Sequence, residues 1–347
     1  MTYETRDRLE RDSMGEFQVP VDAYYGTNMM RAVLNFPIND LRFGRSFIRA
    51  IASIKQAAAN ANAELGLLNP ELAGAIVQAA AEADKGEFDD QFVVDIFQPG
   101  SGTSTNMNAN EVISNRAIEI LGGEKGSRTP VHPNDHVNLG QSSNDVIPTA
   151  IHVAALKAVY DELVPALKKL RTSLRVTADE FMEVVKTGRT HLQDATPIRL
   201  GQEFVGHAGQ LDRAIVRLRA AESELGEVAL GGTAVGAGVN GHPKLAPKVC
   251  AELTEMFGVD IRETSNHFQA QSTLDNIVAA SGALKTVAVS LMKIANDIRW
   301  LGSGPRAGFG EITLPEVQPG SSIMPGKVNP VIPESVCQVA AQVIGSD

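Results

Sequence analysis

The sequence predicts a mainly α protein: a bundle of long helices pooled between subunits, preceded by a smaller mixed N-terminal domain. Three observations carry this. Apolar residues recur at alternating steps of three and four over long stretches of the second half. Aromatics are only 5% of the residues although 43% are hydrophobic, so small and aliphatic side chains dominate and favour closely approaching helices. The polar, glycine-punctuated blocks stand between the helical stretches rather than inside them. We take residues 1–140 as the N-terminal domain and 141–347 as the bundle domain.

In the first domain, Phe47 to Leu68 reads as an Ala-rich amphipathic helix and Glu71 to Ala83 as a second. Asn106 to Leu121 reads as a third, stopped by Gly122-Gly123 as a C-cap. Beyond it, a helix is expected from Thr149. The first long stripe is Val153, Leu156, Tyr160, Leu163, Leu167, Leu170 and Leu174, with Pro165 inside it as a local bend. Leu200, Phe204, Leu211, Ile215, Leu218 and Leu225 mark a looser one. Ile277, Ala280, Leu284, Val287, Leu291, Ile294, Ile298 and Leu301 mark the last. Heptads sustained this long mean helices packed at shallow angles. Around the last stripe Val278, Ala279, Ala283, Ala288, Val289 and Ala295 widen the apolar surface beyond a two-helix seam. A helix apolar on several faces is buried on several sides, so subunits are expected to pool these helices in an oligomeric core.

Between Leu301 and Pro333 the helical pattern stops, and six glycines and six prolines punctuate the chain. A loop this long inside a compact domain points to function. Within it, Gly320 to Pro330 packs two adjacent hydroxyls (Ser321, Ser322), Lys327 and Asn329 into one segment that can surround a small anion. Glu334 follows at the start of the next expected helix.

Composition removes several function classes. The net charge of −10 argues against non-specific nucleic-acid binding, while leaving room for a small anionic substrate held by a local cation. Only Cys250 and Cys337 occur, which gives no disulfide framework, suggests a reducing compartment and is too few for a thiolate-bound cluster. No secretory signal is visible, and no uninterrupted apolar run approaches membrane-spanning length, so a cytoplasmic, non-membrane protein is expected.

Three further blocks are polar beyond what turns require. Ser101-Gly102-Thr103 opens the helix that holds Glu111, where free backbone N–H groups meet carboxylates, although Ser and Thr also serve as plain N-caps. His132-Pro133-Asn134-Asp135-His136 precedes Gln141-Ser142-Ser143-Asn144-Asp145; without a His-Glu-x-x-His pattern or paired cysteines, an anion contact fits better than a metal site. Gly188 to Pro197 lies between two long helices and carries Thr190 and His191, the latter a candidate general acid or base. Gly231 to Gly238 resembles a phosphate loop in composition only and reads as a tight connection between helices.

Together these blocks resemble the class II fumarases of the aspartase/fumarase superfamily. Gly320 to Pro330 matches the superfamily signature loop without a substitution, and the other blocks follow in family order, as does Met292 to Leu301. The resemblance covers essentially the entire chain and implies fumarate hydratase activity in a homotetramer whose active sites are each shared by three subunits, with a dicarboxylate substrate and no cofactor or metal. It implies Ser321 as the base that removes the C3 proton of malate, His191 as the group that handles the departing hydroxyl, and Glu334 as the residue polarising His191. It implies substrate binding by Ser101, Gly102, Thr103, Ser142, Ser143, Asn144, Thr190, Ser322, Lys327, Val328 and Asn329. His132, Pro133, Asn134 and Asp135 match the family's secondary, non-catalytic anion site. Aspartate ammonia-lyase shares fold and serine loop and is the nearest alternative; a non-catalytic structural member is another. Family members continue beyond the position of Asp347 through further bundle helix and a small third domain. C-terminal truncation, with little hydratase activity in the 347-residue form, is therefore expected.

Overall fold

The computed structural model describes residues 7–347 and contains eleven α-helices and six short strands among them. The strands β1 (Asp7–Asp12) and β2 (Gly15–Pro20) pair antiparallel and precede α1 (Thr27–Asn35), α2 (Arg45–Glu64), α3 (Pro70–Lys85), α4 (Thr103–Ile120) and α5 (Ser143–Ala158). Then follow α6 (Val164–Glu180), the hairpin β3 (Val185–Thr190) and β4 (Gln193–Arg199), and α7 (Leu200–Leu225). The remainder comprises β5 (Glu227–Val228), α8 (Leu245–Phe257), β6 (Arg262–Glu263), α9 (His267–Ser272), α10 (Asp275–Leu301) and α11 (Val331–Gly345). The mainly α, long-helix architecture is the one the sequence predicts. Two compact units divide the chain: one runs to Ala158 and resumes over Ser223–Leu274, the other joins Val159–Glu222 to Asp275–Asp347.

The core of the first unit is built from small side chains. Ala57, Ala58, Ala59 and Ala61 of α2 are buried, as are Ala73, Ala75, Ile76, Ala79 and Ala80 of α3 and Val112, Ile113, Ala117 and Ile118 of α4. The α3 boundaries follow from local chemistry. The Asn69 side chain accepts from the N–H of Glu71 (2.8 Å), Pro70 fills the first turn, and Gly86 closes the helix at φ 93°. Polar residues cut through this apolar layer: Lys55, Asn62, Asn106, Asn110 and Asp145 are all buried.

The helix expected from Thr149 begins earlier, at Ser143, with Pro148 inside it. Thr149 Oγ1 donates to the Asp145 carbonyl (2.7 Å), turning a hydroxyl back onto the first turn just where proline has removed a backbone donor.

In the second unit the heptads resolve into two classes. Along α10, Ala280, Val287, Ile294 and Leu301 recur at every seventh position and are buried. Of these, Val287, Ile294 and Leu301 meet Leu167 and Leu174 of α6 and Phe204, Leu211, Ile215 and Leu218 of α7 in one cluster. The alternate positions Leu284, Leu291 and Ile298 are only partly buried, and Val278 and Val289 are 68% and 52% exposed. Pro165 interrupts the first stripe: the chain takes a π-turn over Val159–Leu163, and α6 restarts with the proline in its first turn, where its missing N–H is not needed. By length and composition alone α10 is long and apolar enough to cross a membrane, contrary to the expectation that no such run exists. Single core helices of bundles meet the same criterion.

Candidate active-site residues

The first unit gathers two of the sequence blocks. Gly102, at φ 66°, turns the chain into α4, and the Thr103 hydroxyl lies 2.8 Å from Ser101 Oγ and 3.1 Å from Ser143 Oγ. The Asn144 amide donates to the carbonyl of Ala234 (2.8 Å), and its backbone N–H reaches Ser142 Oγ (3.3 Å). The starts of α4 and α5 thus stand side by side, and Ser101 and Asn144 beside them face a cleft of about 660 Å³. Ser101, Asn144, Ile147, Ala234, Phe268 and Gln271 are among its lining, and no lysine, arginine or histidine is.

Next to Asn144, the polar block that ends at Asp145 joins a network whose burial the sequence does not reveal. Asp145 is buried; one carboxylate oxygen accepts from the N–H of Ser142 (2.9 Å) and the other from Gly231 (3.1 Å) and Thr233 (2.9 Å). Burial pushes its pKa up to about 6 against the pull of those three N–H groups and of Lys55. Gly231 to Gly238 is therefore more than a connector between helices, because Asp145 pins it against the Ser142–Asn144 turn. Lys55 of α2, fully buried, donates to Asn138 Oδ1 (2.7 Å) and Gln141 Oε1 (2.9 Å). A lysine in an Ala-rich amphipathic helix ordinarily reads as a solvated face, so only burial exposes it as unusual.

The proposed secondary anion residues lie in the same unit. His132 caps a short π-turn, Pro133–Val137, its Nδ1 accepting from the N–H of Asn134 (3.3 Å) and Asp135 (3.2 Å). The Asp135 carboxylate also stands 3.3 Å from that nitrogen, an ion pair that requires the protonated ring. The two roles exclude each other. Burial, the largest influence, lowers the His132 pKa, so the neutral ring that accepts from both N–H groups is the form at neutral pH.

The second unit carries the remaining residues. Gly188 to Pro197 forms a β-hairpin rather than a loop, and Thr190 pairs with Gln193 across a two-residue turn made by His191 and Leu192. Both turn residues have positive φ, 55° and 60°, the geometry of a tight hairpin turn usually left to Asn and Gly. Holding non-glycine residues there costs on the order of 1 kcal/mol each and projects the exposed His191 ring from the hairpin tip. At Gly188 a side chain would come within 2.7 Å of the Thr196 carbonyl, which explains glycine at the bulge between Thr187 and Arg189. The hairpin is tethered below its tip: Arg189 donates to Glu311 Oε1 (2.5 Å) and stacks over Phe309, and Lys186 Nζ sits 2.6 Å from Glu311 Oε2. Desolvation raises the Glu311 pKa, but the bonds from Arg189 and Lys186 outweigh it and hold the carboxyl below its ordinary value.

The serine loop is closed on itself. Gly320 N–H donates to the Lys327 carbonyl (2.8 Å), and the Asn329 amide donates to the Gly320 carbonyl (2.9 Å). Any side chain at position 320 would strike the Asn329 backbone nitrogen at 2.7 Å. Inside the loop Ser321 Oγ accepts from the N–H of Met324 (3.1 Å) and Ile323 (3.3 Å), while Ser322, Lys327 and Val328 are exposed. Glu334 occupies the first turn of α11. Among the described residues no hydrogen bond joins His191 to Ser321 or to Glu334.

A family model described as a lyase matches residues 15–345, and the chain belongs to that family. Among its relatives, the class II fumarate hydratase of Halobacterium salinarum is 59% identical over 340 residues, spanning 98% of this chain and 72% of the relative. That of Thermosynechococcus vestitus is 52% identical over 347 residues, spanning 100% and 74%. The crystal structure of the class II fumarase from Schistosoma mansoni superposes with a TM-score of 0.95 at 39% identity, covering 98% of this chain and 74% of that one.

Proposed function

We propose that the chain is a class II fumarate hydratase, a hydro-lyase that interconverts fumarate and malate. The observation that carries the reading beyond family membership is the serine loop, where two backbone N–H groups converge on Ser321 Oγ. A serine hydroxyl is a weak base at its ordinary pKa. Donors aimed at its oxygen stabilise the alkoxide and make proton abstraction from carbon accessible.

In the dehydration direction Ser321 takes the C3 proton of malate. The electrons pass into the adjacent carboxylate, giving an aci-carboxylate with a second negative charge. Lys327 and Asn329 hold that charge, since groups stronger toward the intermediate than toward the substrate are those that accelerate the reaction. His191 then donates a proton to the C2 hydroxyl, which leaves as water with its bonding pair while the double bond of fumarate forms. Glu334 polarises His191. Thr190, Ser322 and Val328, with the hydroxyl cluster Ser101, Gly102, Thr103, Ser142, Ser143 and Asn144, bind the carboxylates. His132, Pro133, Asn134 and Asp135 form a secondary anion site.

We place this chemistry in a homotetramer with each site assembled from three chains. The half-buried heptad positions Leu284, Leu291 and Ile298 and the exposed Val278 and Val289 support this, because they offer α10 an apolar second side that helices of other copies would cover. The enzyme would act in the cytoplasm, in the tricarboxylic acid cycle. The test is spectrophotometric: fumarate absorbance should rise when malate is added and stay flat with aspartate. Ammonia release from aspartate with malate untouched would replace the hydratase by an ammonia-lyase.

A further inference from the structure

Lys55 is the buried cation that the proposed mechanism leaves unused. It sits on α2 among Ala52, Ala58 and Ala59, all buried, and is itself 0% exposed. Taking an ammonium out of water costs several kcal/mol, and an apolar or amide side chain of similar length would fill the space without that cost. Its hydrogen bonds go to two neutral acceptors, Asn138 Oδ1 and Gln141 Oε1. The facing carboxylate, Asp145, has both oxygens engaged by the N–H groups of Ser142, Gly231 and Thr233. The charge is therefore held but only weakly neutralised, and burial brings its pKa down to about 7.

Its bonds lead to both carboxylate-binding segments. Asn138 Oδ1, which takes one Lys55 proton, also accepts from the Asn106 amide (3.2 Å), and Asn106 is in the first turn of α4, behind Thr103. The Asn138 amide in turn donates to the Gln141 carbonyl (3.1 Å), next to Ser142. The cleft above is lined by hydroxyls, amides and apolar groups with no basic side chain. A doubly charged anion there would meet no basic side chain in the lining.

We infer that Lys55 is a positioning residue for the dicarboxylate: through Asn138 and Gln141 it aligns the starts of α4 and α5, and it supplies the positive potential that this half of the site lacks at its surface. The inference rests on the fumarate reading. It separates charge from packing, and two substitutions test it. Lys55→Gln keeps a hydrogen-bonding side chain and removes the charge. Asn138→Asp keeps Lys55 in place and cancels its charge with a carboxylate at contact distance, without opening a cavity, and gives up only the amide bond to the Gln141 carbonyl.

Turnover of fumarate gives KM and kcat, and calorimetric titration with fumarate gives the affinity directly. For both variants KM and Kd should rise about tenfold, the scale of one poorly screened charge acting across a single loop, while kcat stays within about threefold. If Lys55→Gln does not fold, Asn138→Asp decides alone. Unchanged KM and Kd in Asn138→Asp, or a fall in kcat and melting temperature at constant KM, would overturn the inference and leave Lys55 a structural residue. An unsubstituted chain that releases ammonia from aspartate and leaves malate untouched overturns the proposed function, and this inference with it.

Discussion

The two units carry polar clusters of opposite construction. In the first, hydroxyls at the starts of α4 and α5 rest on a lattice of buried Lys55, Asn106 and Asp145 and half-buried Asn138 and Gln141, each fixed by side-chain bonds to backbone or to one another. In the second, His191 and the Ser321–Lys327 segment are carried on an exposed hairpin tip and a glycine-closed loop, supported by ion pairs and an aromatic stack rather than by a core. The contrast fits a division of labour. Groups that bind a carboxylate do their work by being preorganised, so rigid backing is worth the desolvation it costs. Groups that move protons must close over the substrate, and segments with few buried contacts can do so.

The largest test of this division is Ser321→Ala. If the second unit supplies the base, kcat should fall by about a thousandfold, within the range for loss of a positioned proton acceptor. KM should stay within about threefold, and melting temperature should barely change, because Ser321 Oγ only gathers two N–H groups of an exposed loop. A KM effect larger than the kcat effect would move Ser321 from base to binder. Asp145→Ala should behave in the reverse manner. It strands three N–H groups, and a loss of about 3 kcal/mol in urea-denaturation stability is expected, with fumarate binding weakened by release of the Gly231 to Gly238 loop. Stability unchanged to within about 1 kcal/mol would mean those groups find water instead.

The buried lattice also has a signature in pH. The Lys55 pKa is about 7 in the fold against an ordinary value of 10.5, so between those values the unfolded chain binds more protons than the folded one. Stability contributed at this site therefore rises with pH from about 7 to 10.5, and is lowest below 7, where the ammonium must be buried charged. Subtracting the stability curve of Lys55→Gln from that of the parent should isolate this limb. A flat difference would show that the ammonium is stabilised in place and that its pKa is ordinary.

How much of this was readable in the sequence follows the same line. The long helices were legible because their spacing is a periodic signal: Ala280, Val287, Ile294 and Leu301 fall on one buried line. Periodicity did not distinguish that line from the half-buried one at Leu284, Leu291 and Ile298, since both are equally apolar. The hairpin was hidden for a local reason. Val185 to Arg199 shows little alternation, and its turn uses His191-Leu192 where a hairpin signal would show Asn-Gly. The burial of Lys55 and of Asp145 was invisible for a tertiary reason: nothing in sequence marks a charge as buried, and the partners of Asp145 at Gly231 and Thr233 lie far along the chain. Residues whose chemistry is displayed on loops were named from sequence, whereas residues that brace those loops from below needed the fold.

The smallest expected effect separates the hairpin's own rigidity from its tether. Glu311→Gln keeps the side chain's shape but weakens its bonds to Arg189 and Lys186, which hold the base of the hairpin while the tip carries His191. Partly exposed ion pairs contribute little to stability, so unfolding free energy should change by no more than about 1 kcal/mol. Placement of a proton-transfer group is more demanding than stability, because misplacement by a fraction of an ångström lowers the rate without unfolding anything. We expect kcat to fall about tenfold with KM nearly constant. If kcat is untouched, the positive-φ turn at His191 and Leu192 and the bulge at Gly188 hold the imidazole by themselves, and the second unit is more rigid than its exposure suggests.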